Sequence, residues 1–199
     1  MKIRGIILAA GESSRIGSPK ALLELHGVTV LQRLVGVLRD GGCDEVLVIS
    51  GGSHRFAVEK EGEKIGVRVI NNEDPADGPV SSIRVALAVE GDWDALLILP
   101  VDVIGVRNED VSLLVDAARD ETVVADAWAM SHRMRRGHPV VVIRDRIKSL
   151  CDQDGPHHLR ALLDQPDLVV HHVVSDNPLV LEDVDDMDDW VRISGLLDY

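Results

Sequence analysis

The sequence predicts an α/β domain: a parallel β-sheet with helices packed on both faces. Three observations lead there. Short apolar runs alternate with amphipathic or charged stretches four times up to residue 118, the pattern of repeated strand–helix–strand units. Glycine closes several of those runs, where a strand or helix has to stop. The 199 residues are 45% hydrophobic and 3% aromatic, so the chain can bury a sizeable core and that core is aliphatic.

Residues 3–10 are an almost unbroken apolar run ended by Gly11, as expected of a strand covered on both faces. In residues 29–38, Val30, Leu31, Leu34, Val35 and Leu38 recur at helical spacing, and Gly41-Gly42 supplies the stop. Residues 45–49 read as a second strand closed by Gly51-Gly52. Residues 53–64 are charged and predict a surface helix. A third strand follows at 67–70, a helix at 81–89, and a very apolar fourth strand at 95–99 that runs into Pro100-Val101-Asp102. Residues 111–118 form a further helix. Beyond it, 122–128 and 139–143 read as strands, 157–163 as a helix, 168–174 as a strand and 187–197 as a closing helix. No internal repeat or low-complexity linker intervenes, so one domain over residues 1–199 is expected. Ligands of such sheets bind beyond the C-terminal ends of the strands. The loop after Ala10 and the residues around Asp102 should therefore converge.

Acidic residues number 34 against 21 basic ones, a net charge of -13. That excludes a general nucleic-acid binder, whose surface is basic. It does not exclude a small anion held by a few local cations. No apolar run reaches the ~18 residues of a membrane-spanning helix. The apolar stretch after Met1-Lys2-Ile3-Arg4 breaks at Gly11-Glu12, too soon for a signal peptide. Cys43 and Cys151 stand alone, which predicts no disulfide scaffold and a reducing, cytoplasmic setting.

The chemistry concentrates in Leu8-Ala9-Ala10-Gly11-Glu12-Ser13-Ser14-Arg15-Ile16-Gly17-Ser18-Pro19-Lys20, directly after a strand. Gly11 and Gly17 allow sharp turns that present backbone N–H groups. Arg15 and Lys20 add positive charge, the former in a fork that matches phosphate oxygens. On these residues alone the string is a triphosphate cradle or an ordinary glycine-rich surface loop. It is neither a P-loop, since no Gly-Lys-Ser/Thr occurs, nor a dinucleotide fingerprint, since GxGxxG is absent. Asp102 reads as a metal ligand or a helix cap, and Asp185 as a ligand or part of a solvated acidic run. His157-His158 and His171-His172 are adjacent pairs. Neighbours on a strand point to opposite faces, so such a pair does not readily chelate one zinc. Arg133, Arg135 and Arg136, within residues 130–136, form the densest basic cluster, either a solvated loop or an anion clamp.

The whole string resembles the signature of the small nucleotidyltransferases that attach CMP or GMP to the molybdenum cofactor. These belong to the nucleotide-diphospho-sugar transferase superfamily. Ile16 stands where that family has Met. The likeness continues through Asn71-Asn72-Glu73-Asp74-Pro75 and Gly78-Pro79-Val80-Ser81-Ser82, with Ala86 where glycine is usual. It then runs through Leu97-Ile98-Leu99-Pro100-Val101-Asp102, the Gly137-His138-Pro139 motif of the cytidylyl branch, Asp154-Gly155 and Asp183-Val184-Asp185. The resemblance implies a three-layer, Rossmann-like nucleotide-diphospho-sugar transferase fold with a mostly parallel sheet.

It also implies a Mg²⁺-dependent transfer of a nucleoside monophosphate to a phosphorylated small-molecule acceptor, most simply molybdopterin, with release of pyrophosphate. Leu8, Ala9, Ala10, Gly11, Glu12, Ser13, Arg15, Lys20, Ser81 and Ser82 would hold the nucleotide. Lys20, Arg15 and Asp102 would be catalytic, Asp102 and Asp185 would bind Mg²⁺, and His138 and Arg136 would face the acceptor. Ala10 favours CTP, because the guanylyl branch has a second glycine there and a purine needs the room. Val103-Ile104-Gly105-Val106 replaces the family's proline-containing loop beside the acceptor, which leaves room for a different acceptor. The alternatives are a guanylyltransferase, a transferase for another phosphorylated acceptor, and a non-catalytic nucleotide-binding accessory protein.

Overall fold

The protein is described by a computed structural model that covers residues 1–13, 15–152 and 158–197. The Asp154-Gly155 turn, His157 and Ser14 lie outside the described residues. In chain order the elements are β1 (Ile3–Ala9), β2 (Glu24–Leu25), β3 (Val28–Thr29), α1 (Val30–Asp40), β4 (Glu45–Gly51), α2 (Arg55–Lys64), β5 (Arg68–Asn72), α3 (Pro79–Ala88) and β6 (Ala95–Pro100). They continue with α4 (Asn108–Arg119), β7 (Ala127–His132), β8 (Arg135–Ile143), α5 (Arg144–Asp152), α6 (Leu159–Leu163), β9 (Val170–Val174) and α7 (Met187–Ser194).

Seven strands form the main sheet in the order β5-β4-β1-β6-β8-β7-β9. Strand β8 runs antiparallel to both neighbours, and the other pairings are parallel. Every residue of β1 is buried, as a central strand covered on both faces requires. Its side chains alternate between two cores. Ile3 and Ile7 join Leu34 of α1, Leu114 of α4 and Ile193 of α7 on one side. Ile6 and Leu8 join Ile83 of α3, Ile147 of α5 and Leu163 of α6 on the other. Each fully buried aliphatic side chain is worth about 1.5–3 kcal/mol of transfer free energy, which makes the two cores the main source of stability. Buried Arg4 is neutralised by Glu45 at 2.7 Å and donates to the Val89 carbonyl, so it ties the end of α3 to β1.

Local rules account for the helix ends. The Thr29 hydroxyl accepts from the Gln32 N–H at the start of α1, and Asp186 accepts from the Asp188 and Asp189 N–H groups at the start of α7; both are N-caps. Helix α3 opens after Gly78, at φ 80°, with Pro79 as its first residue.

The second half departs from the sequence expectations. The strand expected at 122–128 begins at Ala127, because Asp120 accepts from both the N–H and the hydroxyl of Thr122 and holds that stretch in a turn. The strand expected at 139–143 starts at Arg135. Residues 130–136 are therefore not a loop. They are the tip of the β7–β8 hairpin, turned by Arg133 and Met134 at φ 49° and 64°, the left-handed pair that a tight hairpin demands. Pro139 is tolerated inside β8 because the register shifts between Ala129 and Ser131 of β7, and a bulge excuses its missing N–H. Helix α5 was not expected. Its apolar residues Ile147, Leu150 and Cys151 lie among charged ones but share one face. Among the described residues no helix is long and apolar enough to cross a membrane, and neither Cys43 nor Cys151 is in a disulfide.

Candidate active site

Strands β1 and β6 are neighbours, yet the chain leaves β1 toward β4 and returns from β5 to β6 on the other side. That reversal opens a crevice at their C-terminal ends. The loop after Ala9 and the residues after Pro100 line it. The resulting cleft of about 1010 Å³ is bordered on one side by Leu8, Ala9, Ala10, Gly11, Ser13, Lys20, Ser82 and Asp102. Arg135, Arg136, Gly137, His138, Arg160 and His172 border the other.

The glycine loop wraps around Ser13. The Ser13 carbonyl accepts from the Ile16 and Gly17 N–H groups at 3.0 and 3.2 Å, and its hydroxyl accepts from the Lys20 N–H at 3.2 Å. Ser13 itself sits at φ 49° and Gly17 at 75°. Glu12 turns away from the cleft: its carboxylate accepts from the N–H and hydroxyl of Ser53 at 3.2 and 2.7 Å. The Ser53 contacts hold its carboxyl below the ordinary range. A side chain at Gly52 would strike that carboxylate, so the glycine keeps the loop anchored to the end of β4.

Lys20 points into the cleft. Its Nζ lies 3.2 Å from Asp102 Oδ2 and 3.9 Å from Asp185 Oδ1, and its side chain is 14% exposed. Arg15 is on the rim, 67% exposed, 3.2 Å from the other Asp185 oxygen. The Val184 N–H donates to the Asp102 carbonyl at 3.0 Å, which brings the acidic segment beside β6. A buried knot holds that segment: Asp110 accepts from Ser175 and Asn177, and Asn177 also donates to the Gly105 carbonyl. Asp183 joins the two carboxylates. Burial raises its carboxyl above the ordinary range, helped by the charges of Asp102 and Asp185. Among the described residues no three His, Cys, Asp or Glu are arranged to hold a metal by themselves.

On the opposite wall, His138 is half-buried, and its Nδ1 is sealed from solvent without a partner. Burial lowers its pKa, against a raising influence from Asp102, so the ring favours the neutral form. Gly137 has no room for a side chain against the Val180 carbonyl. Arg136 pairs with Asp164 at 3.0 Å and donates to the Leu163 carbonyl. His172 Nδ1 is 2.9 Å from the buried Ser131 hydroxyl, which leaves Nε2 as the ring atom without that tether.

Of the residues expected from sequence, Leu8, Ala9, Ala10, Gly11, Ser13, Lys20, Ser82, Asp102, Arg136 and His138 line one cleft. Arg15 and Asp185 meet through their ion pair beside Lys20. Ser81 lies beneath, donating to the Gly78 carbonyl. Sequence reasoning missed the supporting groups. Asn72, 3% exposed, donates to both Ser81 and Ser82; the family-like segment from Asn71 to Pro75 contains it, but no role was assigned to its side chain. His172 stood out only in the His171-His172 pair set aside as a zinc site, and nothing signalled its contact with Ser131, because only the β7–β9 pairing joins them.

Residues 5–171 match the family described as MobA-like NTP transferase domain. The chain is 29% identical over 198 residues to nicotine blue oxidoreductase of Paenarthrobacter nicotinovorans, covering 96% of each. It is 38% identical over 87 residues to a probable molybdenum cofactor guanylyltransferase of Pelotomaculum thermopropionicum, a match spanning 44% of this chain and 39% of that protein. In three dimensions it resembles the crystal structure of Rv0371c from Mycobacterium tuberculosis H37Rv, with a TM-score of 0.84, 27% identity, and coverage of 98% of this chain and 99% of that one.

Proposed function

This chain belongs to the MobA-like NTP transferase family and is a nucleotidyltransferase, and from that premise we propose that it transfers CMP from CTP to the terminal phosphate of molybdopterin, releasing pyrophosphate. The observation that carries this reading is Lys20 facing Asp102 at 3.2 Å beneath the glycine loop. It puts a cation for phosphate and a carboxylate for metal in one cleft.

The carboxylates fit a divalent ion. Asp102, Asp183 and Asp185 lie close enough that like charge helps to raise Asp183, and Lys20 with the exposed Arg15 does not balance three carboxylates. Hard oxygen donors without a closed cage suit Mg²⁺, which keeps several waters and draws on substrate phosphates. Asp102 and Asp185 would hold it, and once bound it neutralises phosphate charge at the reacting centre.

The remaining work falls to side chains and backbone. The N–H groups of residues 9–13 receive phosphate oxygens. Lys20 shifts from Asp102 to the charge developing around the α-phosphate, and Arg15 holds the β- and γ-phosphates that leave together. An oxygen of the acceptor's phosphate attacks the α-phosphorus in line, and the bond to pyrophosphate breaks. That oxygen is already ionised near neutral pH, so no protein base is needed. Neutral His138 and the anchored Arg136 border the acceptor.

The base assignment rests on Ala10, which lines the cleft at the position where the guanylyl branch has a second glycine; on this reading its methyl takes room that a purine would need. The relatives named guanylyltransferases speak for GTP instead, over 44% of this chain in the Pelotomaculum match. Thermal shift with each of the four NTPs and Mg²⁺ decides between them: CTP should stabilise most, and a larger shift with GTP reverses the assignment. Pyrophosphate release with molybdopterin tests the reaction, and Asp102→Asn should lower turnover about 10²-fold. Unchanged turnover would remove Asp102 from the mechanism.

A second reading is favoured by the 96% coverage of the nicotine blue oxidoreductase match. On it, the cleft acts on nicotine blue. Protein-dependent reduction of nicotine blue by a soluble two-electron reductant, with no pyrophosphate release from any NTP, would select it.

A further inference from the structure

We infer that Lys20 is the internal counterion of the carboxylates that bind the metal. In the ligand-free protein it competes with the divalent cation, and nucleotide binding removes the competitor. The inference rests on the reading that nucleotide phosphates engage Lys20.

The geometry gives Lys20 two partners, Asp102 at 3.2 Å and Asp185 at 3.9 Å. Its side chain is 14% exposed, against 29% for Asp102 and 46% for Asp185. The lysine is not free to swing away at its base. Its backbone N–H is held by the Ser13 hydroxyl, and its carbonyl accepts from the Leu23 N–H in a single tight turn. Arg15 also contacts Asp185, but at 67% exposure that pair is screened and worth little. Lys20 is therefore the cation that matters electrostatically.

An ammonium and a dication on the same two carboxylates repel each other. Metal binding must weaken the Lys20 contacts, and phosphate binding to Lys20 must unmask Asp102 and Asp185. The two ligands then bind synergistically even without touching, and the coupling is reciprocal. A purely catalytic lysine would have no effect on the binding of metal alone.

The experiment is a titration of Mn²⁺ alone, read from the loss of the free-ion paramagnetic resonance signal. Wild type is compared with Lys20→Met, Lys20→Arg and Asp102→Asn. Lys20→Met should bind Mn²⁺ about tenfold more tightly than wild type, the scale of removing one nearby unit charge from a partly shielded site. Lys20→Arg keeps the charge and should match wild type, and Asp102→Asn should bind more weakly than wild type. Equal or weaker binding by Lys20→Met overturns the inference. So does Mn²⁺ binding that ignores Asp102→Asn, or no binding by either wild type or Lys20→Met. A second arm measures CTP and GTP in EDTA, where Asp102→Asn should bind nucleotide more tightly than wild type; weaker binding also overturns it. If neither nucleotide binds even when Mg²⁺ is supplied, the nucleotide reading fails, while the Mn²⁺ titration still decides whether Lys20 competes with metal.

Discussion

Asn72→Ala removes a side chain that no ligand need touch, yet it should damage both stability and nucleotide binding. Asn72 closes β5 and is 3% exposed. Its amide donates to Ser81 at 2.8 Å and to Ser82 at 3.0 Å, and its carbonyl accepts from the Asp74 N–H at 3.0 Å. Three bonds are lost at about 0.5–1.5 kcal/mol each, with a further penalty wherever a buried partner stays unpaired. The expected destabilisation is about 3 kcal/mol, or a drop in Tm of roughly 6–12 °C for a chain of this size. Ser82 lines the cleft, so its freed hydroxyl should also raise the nucleotide KM several-fold. Thermal unfolding and steady-state kinetics on the same variant check both. A Tm within about 2 °C of wild type, with an unchanged KM, would show that the amide does not organise this end of the cleft.

Other expectations follow from single contacts. Ala10→Gly should remove a methyl from a cleft-lining residue and, on the proposed base assignment, shift the ratio of GTP to CTP turnover upward by about tenfold, on the scale of pocket discrimination by one carbon; an unchanged ratio would locate base selection elsewhere. Gly137→Ala should cost about 1–3 kcal/mol or more by overpacking, since its Cβ would collide with the Val180 carbonyl; a wild-type urea midpoint would contradict that fit. Burial raises the Cys43 thiol from the ordinary 9.0 to about 12. The unfolded chain therefore loses this proton first as pH rises, so stability should fall between pH 9 and 12. Cys43→Ala should flatten that alkaline limb of the urea midpoint, and an identical limb would exclude Cys43 as its source.

The amino-acid sequence by itself determined the layered α/β architecture, the apolar strands that became β1, β4 and β6, and the positions of Lys20 and Asp102. Those features are written locally. A run of aliphatic residues reports burial, glycines report where the chain must turn, and a strand end in such a sheet is where ligands bind. Direction and partnership are not written that way. Nothing in residues 135–143 says that β8 runs against its neighbours, because apolar periodicity encodes burial and not orientation. The charged residues of α5 hid the one face it buries. Asp185 became a partner of Lys20 only because Val184 bonds the Asp102 carbonyl and the Asp110–Asn177 knot holds the intervening chain. Ser131 reached His172 only through the parallel pairing of β7 with β9. The net charge of -13 said little about the cleft, where the tertiary fold set Lys20 among three carboxylates. Contacts between residues far apart in the chain depend on how the layers pack, and that is where the ion pairs of Lys20, the bonds of the Asn72 amide and the burial of the His138 imidazole were decided.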